Sequence, residues 1–103
     1  MGSIIRGTTP TIKFSFRNID PGDIGIAYLV VKQIGNIKIK LSKDEAIEDE
    51  NSLSWMLSQE QTLSLSPGKD ALIVCDWKLH NGIRGRSEEA IYEVEEPGVK
   101  EVI

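Results

Sequence analysis

Alternation of apolar and polar residues constrains this chain more than any other feature. In residues 11–17, the apolar residues Ile12, Phe14 and Phe16 each stand between polar neighbours. Because successive side chains of a β-strand point to opposite faces, this pattern predicts a strand with one buried side and one solvated side. The sequence contains no long 3.6-residue pattern, so it favours an all-β fold.

Two neighbouring segments predict a hairpin. Residues 24–33 are apolar at most positions, which predicts a central strand covered on both faces. Residues 37–41 alternate again. Gly35 and Asn36 lie between the two segments and predict a tight turn that joins them.

Three further segments complete the predicted strands. Residues 53–57 and 70–79 alternate, and residues 83–94 contain one or two more strands with a break expected at Gly85. The segment 42–51 is too polar for the core, and we interpret it as either a loop or a short edge strand.

A short helical turn is predicted near residues 59–64. Ser58 and Gln61 have the spacing of a capping box, in which each side chain bonds the backbone of the other residue. Leu63 and Leu65 are expected to cover the end of the sheets, and Pro67 to end the segment.

The number and spacing of these elements indicate the fold class. About six to seven short strands with frequent turns predict an antiparallel β-sandwich, and a small open barrel stays open as the alternative. A length of 103 residues predicts one domain, residues 1–103.

Charge and hydropathy exclude several classes of protein. The net charge of −4 opposes binding to nucleic acid. The basic residues are scattered, and those close enough to form a stripe are Lys32, Lys38, Lys40 and Lys43. The sequence shows no signal peptide and no apolar stretch of membrane-spanning length, so we expect no membrane partner.

Candidate catalytic and metal-binding residues are sparse. The single histidine, His80, falls in a predicted turn, and the single cysteine, Cys75, falls in an apolar strand where we expect it to be a core residue. The densest acidic cluster lacks the spacing of a calcium loop: Asp44, Glu45, Glu48, Asp49 and Glu50. We therefore predict no enzyme activity, no catalytic site, no metal and no cofactor.

Four aromatic residues divide between core and surface. Trp55 and Trp77 alternate in phase with aliphatic residues, which predicts interior positions. Tyr28 and Tyr92 are less certain to be interior, and either one exposed on a sheet would suit a carbohydrate-binding face.

Several segments of the chain carry a resemblance to a known family. These are residues 5–12, residues 24–33 with the Gly-Asn turn that follows, residues 53–63 and the weaker Gly85-Arg86-Ser87 step. They resemble small prophage proteins of Gram-positive bacteria that are encoded among tail and baseplate genes. A related immunoglobulin-like domain begins the upper baseplate proteins of some phages.

The resemblance implies an immunoglobulin-like sandwich and a non-enzymatic structural protein of a phage tail or baseplate. Such a protein acts through protein–protein contacts and is located in the virion after assembly in the host cytoplasm. The implied partners are other phage structural proteins, and homo-oligomerisation is an open option.

The candidate interface is Thr8, Thr9 and Pro10, because proline removes a backbone donor and suits a sheet edge. The alternative function is a carbohydrate- or cell-wall-binding module, and a small cytoplasmic regulator is a third option.

Overall fold

The chain folds into two β-sheets whose inner faces share one hydrophobic core. The computed structural model describes residues 2–97. Within them lie a short helix, α1 (Gln59–Leu63), and the strands β1 (Gly2–Ile5), β2 (Thr11–Ser15), β3 (Ile24–Gln33), β4 (Asn36–Ser42), β5 (Ile47–Glu48), β6 (Ser52–Met56), β7 (Asp70–Leu79), β8 (Arg84–Arg86) and β9 (Ala90–Glu95).

The strand order confirms the predicted fold class. The six-stranded sheet has the order β1-β9-β7-β3-β4, with β8 also on β7, and the three-stranded sheet has the order β2-β6-β5. All ladders are antiparallel except β1 with β9, which is parallel. Three strands facing a larger sheet with an added edge strand define an immunoglobulin-like sandwich, and a single rolled sheet is excluded. The strand count exceeds the expectation because β1, β5 and β8 are short.

Trp55 lies at the centre of the core, as predicted. Its side chain is fully buried, and its indole nitrogen donates a hydrogen bond to the Ser42 carbonyl at 2.8 Å. Phe14 meets the indole edge-on, with ring centroids 6.1 Å apart. The hydrogen bond to Ser42 satisfies the indole N–H, which needs an acceptor when a tryptophan is buried.

Trp77 lies at the margin of the same core. It is half-buried and meets Phe16 edge-on at 6.4 Å. The break expected at Gly85 is wrong, because β8 runs through that residue and pairs it with Trp77. A side chain at Gly85 would overlap the indole, so the glycine admits the tryptophan ring. The interruption between β8 and β9 falls at residues 87–89 instead.

The predicted hairpin between β3 and β4 is confirmed, with its turn one residue earlier than expected. Ile34 and Gly35 form the turn with φ values of 51° and 76°, and Asn36 already belongs to β4. Two consecutive positive φ values are typical of the type I′ hairpin turn.

β3 is buried on one face and only partly buried on the other, so the expectation of cover on both faces is confirmed in part. Ala27, Leu29 and Val31 point into the core and are buried. On the opposite face Val30 is buried, but Ile26 is 47% exposed. Val30 and Val74 on this side do not belong to the core that the two sheets share, so the three-stranded sheet packs against the other side.

The crossover from β6 to β7 contains the predicted helical turn. Ser58 caps α1 by accepting a hydrogen bond from the Gln61 amide at 3.1 Å, and the Gln61 side chain accepts one from the Ser58 amide at 2.7 Å. Thr62 and Leu65 are buried beneath the turn. The capping box is therefore confirmed, and it fixes where the helix begins.

The polar segment 42–51 contains both a loop and a short edge strand, the two structures predicted for it. It forms a 3-10 turn at Lys43–Glu45 and then the two-residue edge strand β5. Ala46 is half-buried, whereas Ile47 is 69% exposed. The segment thus lies at the edge of the three-stranded sheet with its carboxylates exposed to solvent.

Candidate functional site

The side of the six-stranded sheet that faces away from the shared core, here called the outer face, is the candidate functional surface. The register places the outward side chains in rows across β3, β7 and β8. One row contains Ile26, Lys78 and Arg84, the next contains Tyr28, Asp76 and Arg86, and a third contains Val30 and Val74.

A groove of about 590 Å³ crosses the first two rows. Its walls are formed by Ile26, Tyr28, Asp76, Lys78, Arg84 and Arg86, with Trp77 and Gly85 below them. This volume lies within the range of about 300–1,000 Å³ found for ligand pockets. The groove opens to solvent along the sheet, so it also suits an extended segment of a partner.

One ion pair is built into the groove. Arg86 donates from its Nε to Asp76 at 2.5 Å and from a terminal nitrogen to the second carboxylate oxygen at 3.4 Å. The hydrogen bond and the charge of Asp76 raise the pKa of Arg86. The acid and the base stand directly opposite each other on β7 and β8, which is a favourable cross-strand pair.

The neighbouring row places two positive charges together instead of an ion pair. Lys78 and Arg84 also stand directly opposite each other, and neither has an acidic partner within residues 2–97. Like charges across a strand pair are destabilising. With Arg86 added, the groove contains three cations and the single carboxylate of Asp76. The groove is therefore positive in a chain whose net charge is −4.

The two candidate tyrosines lie on different sides of the sheet. Tyr28 is half-buried in the groove, and the Lys40 ammonium lies 4.3 Å from the centre of its ring. Tyr92 packs against the core and lies over Gly2, where a Cβ would come within 2.7 Å of the ring. Tyr28 is thus the tyrosine positioned to contact a ligand on the outer face.

Apolar side chains are exposed in the groove and at the other end of the outer face. Ile26 and Ile91 of the outer face are 47% and 44% exposed. Ile37 at the β4 edge, opposite Lys32, is 59% exposed. Val30 and Val74 lie in the middle of this face and are buried, so its exposed apolar surface comes from the isoleucines.

The predicted interface residues Thr8, Thr9 and Pro10 lie elsewhere. They join β1 to β2, where the chain crosses from one sheet to the other. The Thr8 carbonyl accepts a hydrogen bond from Thr62, and the Pro10 carbonyl accepts one from the Leu57 amide at 2.9 Å. The donor that Pro10 lacks would therefore face Leu57 of its own sheet and not a free edge. Thr8 and Thr9 are exposed but are not part of the groove.

The candidates considered for catalysis are also separated. His80 is exposed in the turn after β7. Cys75 is fully buried, as predicted, and burial together with the neighbouring charge of Asp76 raises the pKa of its thiol to about 12. At neutral pH the thiol is protonated and shielded, which is the inert form of a cysteine.

The described residues contain neither a cluster of metal ligands nor a membrane-spanning helix. Residues 2–97 contain no group of three or more histidine, cysteine or acidic side chains arranged to hold a metal ion. The same part of the chain has no helix of the length and apolar character needed to cross a membrane.

Sequence reasoning missed the groove because its cations come from separate strands. The signal was present around the Asn81-Gly82 turn, where pairing β7 with β8 sets Asp76 against Arg86 and Lys78 against Arg84. The prediction of a break at Gly85 excluded this pairing of β7 with β8.

Comparison with known proteins finds no family model that matches this chain and no significant match among curated proteins.

Proposed function

We propose that this protein is a non-enzymatic structural protein of a phage tail or baseplate that acts through protein–protein contacts on the outer face. The observation that supports a contact role is the sheet face turned away from the shared core, on which Ile26, Ile37 and Ile91 are exposed. Apolar patches rimmed by polar residues are typical of interaction surfaces. The phage setting comes from the sequence resemblance.

The shape of the face suits a protein partner. Its exposed isoleucines stand among charged side chains, which include Lys78, Arg84 and Arg86. In protein interfaces, apolar side chains supply affinity and charged side chains select the partner. The face is also built on paired strands, so its side chains need little ordering when a partner binds.

The proposal is tested in phage particles produced by a strain that carries the gene. We expect mass spectrometry to find the protein in purified particles. An Ile26→Asp/Ile91→Asp variant should fold, by circular dichroism, but should be lost from the particles. The matched control is Met56→Asp, which changes a 64% exposed apolar residue on the other sheet and should be incorporated normally. Absence of the wild-type protein from particles, or normal incorporation of the outer-face variant, would contradict the proposal.

A second candidate function is carbohydrate or cell-wall binding. It is favoured by Tyr28, whose ring lines a groove that also contains Asp76 and Arg86. An aromatic ring beside fixed polar groups is the arrangement with which proteins stack and orient sugars. Binding on a glycan array that is lost in Tyr28→Ala and kept in Met56→Asp would support this function, and an array without binding would reject it.

A further inference from the structure

We propose that the groove receives the acidic segment 44–50 of a second copy of this chain, so that two copies form a two-fold dimer. Each copy would supply one groove and one acidic segment. The inference rests on the proposed contact function and specifies the first partner of the outer face.

The groove presents unpaired positive charge. Lys78 and Arg84 face each other across β7 and β8 without an acidic partner among the described residues. Two carboxylates of a partner placed against them would remove this repulsion and replace it with attraction.

The acidic segment presents the complementary charge. Its acidic residues are exposed: Asp44, Glu45, Glu48, Asp49 and Glu50. The neighbouring Lys43 pairs with Glu48 at 3.3 Å and donates to the carbonyls of Pro21 and Ile24, so it does not neutralise the rest. The side chains of Asp44 and Glu50 make no hydrogen bond or ion pair within residues 2–97 and are available to another molecule.

The two surfaces adjoin at Ile26 and Tyr28. These residues line the groove with Arg84 and Arg86 on one side, and they line a shallow depression with Asp44 on the other. When complementary patches lie side by side, a two-fold rotation brings each patch against its complement in the other copy. Ile26 and Tyr28 would then lie near the axis and become buried, with charged contacts around them.

The charges make the expected association dependent on salt. Exposed ion pairs are screened over about 10 Å at 0.1 M salt and over about 3 Å at 1 M. We expect sedimentation analysis to show a dimer at low ionic strength and dissociation toward the monomer as sodium chloride is added. A strict monomer at every concentration and salt level would overturn the inference.

A charge-swap experiment identifies the contacting surfaces. Variant A carries Lys78→Glu and Arg84→Glu, and variant B carries Asp44→Lys and Glu50→Lys. Each variant alone should be monomeric, because like charges meet in its homodimer, and we expect its dissociation constant to rise by about 100-fold. Mixing A with B restores attraction at both contacts, so the mixture should form a heterodimer of the wild-type mass.

Controls separate the contact from net charge and from folding. Lys13→Glu/Arg17→Glu makes the same change in net charge as variant A outside the groove, at residues that are exposed. This control should keep the dimer, and all variants should keep the wild-type circular dichroism spectrum. A dimer that survives in variant A, or a mixture of A and B that stays monomeric, would show that the groove and segment 44–50 do not meet.

The outcome is distinguishable from that of the proposed function. A dimer that passes the charge swap but is absent from phage particles would retain this inference and reject the phage role. A monomer that is present in particles would reject this inference and retain the phage role.

Discussion

Replacing Gln33 with leucine tests whether one buried amide holds the β6–β7 crossover onto the end of β3. Gln33 is 1% exposed. Its side-chain nitrogen donates to the carbonyls of Ser66 at 2.9 Å and Lys69 at 3.2 Å, and its oxygen accepts from the Ser66 amide at 2.7 Å. Leucine has a similar volume and makes none of these bonds.

The magnitude follows from the three lost bonds. Each contributes a net stability of about 1 kcal/mol, and a buried amide left without a partner costs more than an exposed one. Ser66 is half-buried and Lys69 is exposed, so water can replace part of what the carbonyls lose. We therefore expect the free energy of unfolding to fall by about 2 kcal/mol and the midpoint temperature by about 10 °C.

Urea unfolding followed by tryptophan fluorescence measures this change, because Trp55 is fully buried in the folded protein. Lys32→Leu is the matched control, since Lys32 precedes Gln33 on β3 and lies on the outer face without a hydrogen bond inside the described chain. The control should stay within about 0.5 kcal/mol of the wild type. A Gln33→Leu protein as stable as this control would refute the assigned role of the amide.

Three further predictions follow from local geometry. Ile34→Asn should raise the free energy of unfolding by about 1 kcal/mol in urea titrations, because Ile34 is 72% exposed and a branched side chain is strained at a φ of 51°; an unchanged midpoint would contradict this. Gly85→Ala should lower stability by about 1–3 kcal/mol and change the near-ultraviolet circular dichroism of Trp77, because the added methyl overlaps its ring; an unchanged spectrum would argue against this packing. Stability should fall as pH rises from 9 toward about 12, because the unfolded Cys75 thiol loses its proton first, and a Cys75→Ala variant should lack this part of the slope.

Local pattern was sufficient where a strand has one clearly apolar side. The bounds of β3 and β7 match the predicted segments, and the capping box at Ser58 gave the start of α1. These features depend on neighbouring residues, so the sequence contains the information within a short window.

Features that depend on residues far apart in the sequence could not be predicted from local pattern. β1 has four residues, and Gly2 pairs with Tyr92 at the other end of the chain. Gly85 was interpreted as a break because glycine weakens strands in general. In the structure a glycine is needed at this position because the indole of Trp77 on the neighbouring strand occupies the space of a side chain. With a break predicted at Gly85, the sequence did not establish which residues of β9 point outward. It therefore did not distinguish Tyr28 from Tyr92 as the tyrosine on the outer face.

The parallel pairing of β1 with β9 has a consequence for how the protein is made. A chain leaves the ribosome from its amino end, so the strand that is synthesised first must wait for the one that is synthesised last. Ile4, which is 1% exposed beside Val94, stays in water until nearly the whole chain has emerged. In a chain truncated before residue 90, we expect the backbone amides of residues 2–5 to exchange their hydrogens freely, because β1 then lacks the strand with which it pairs.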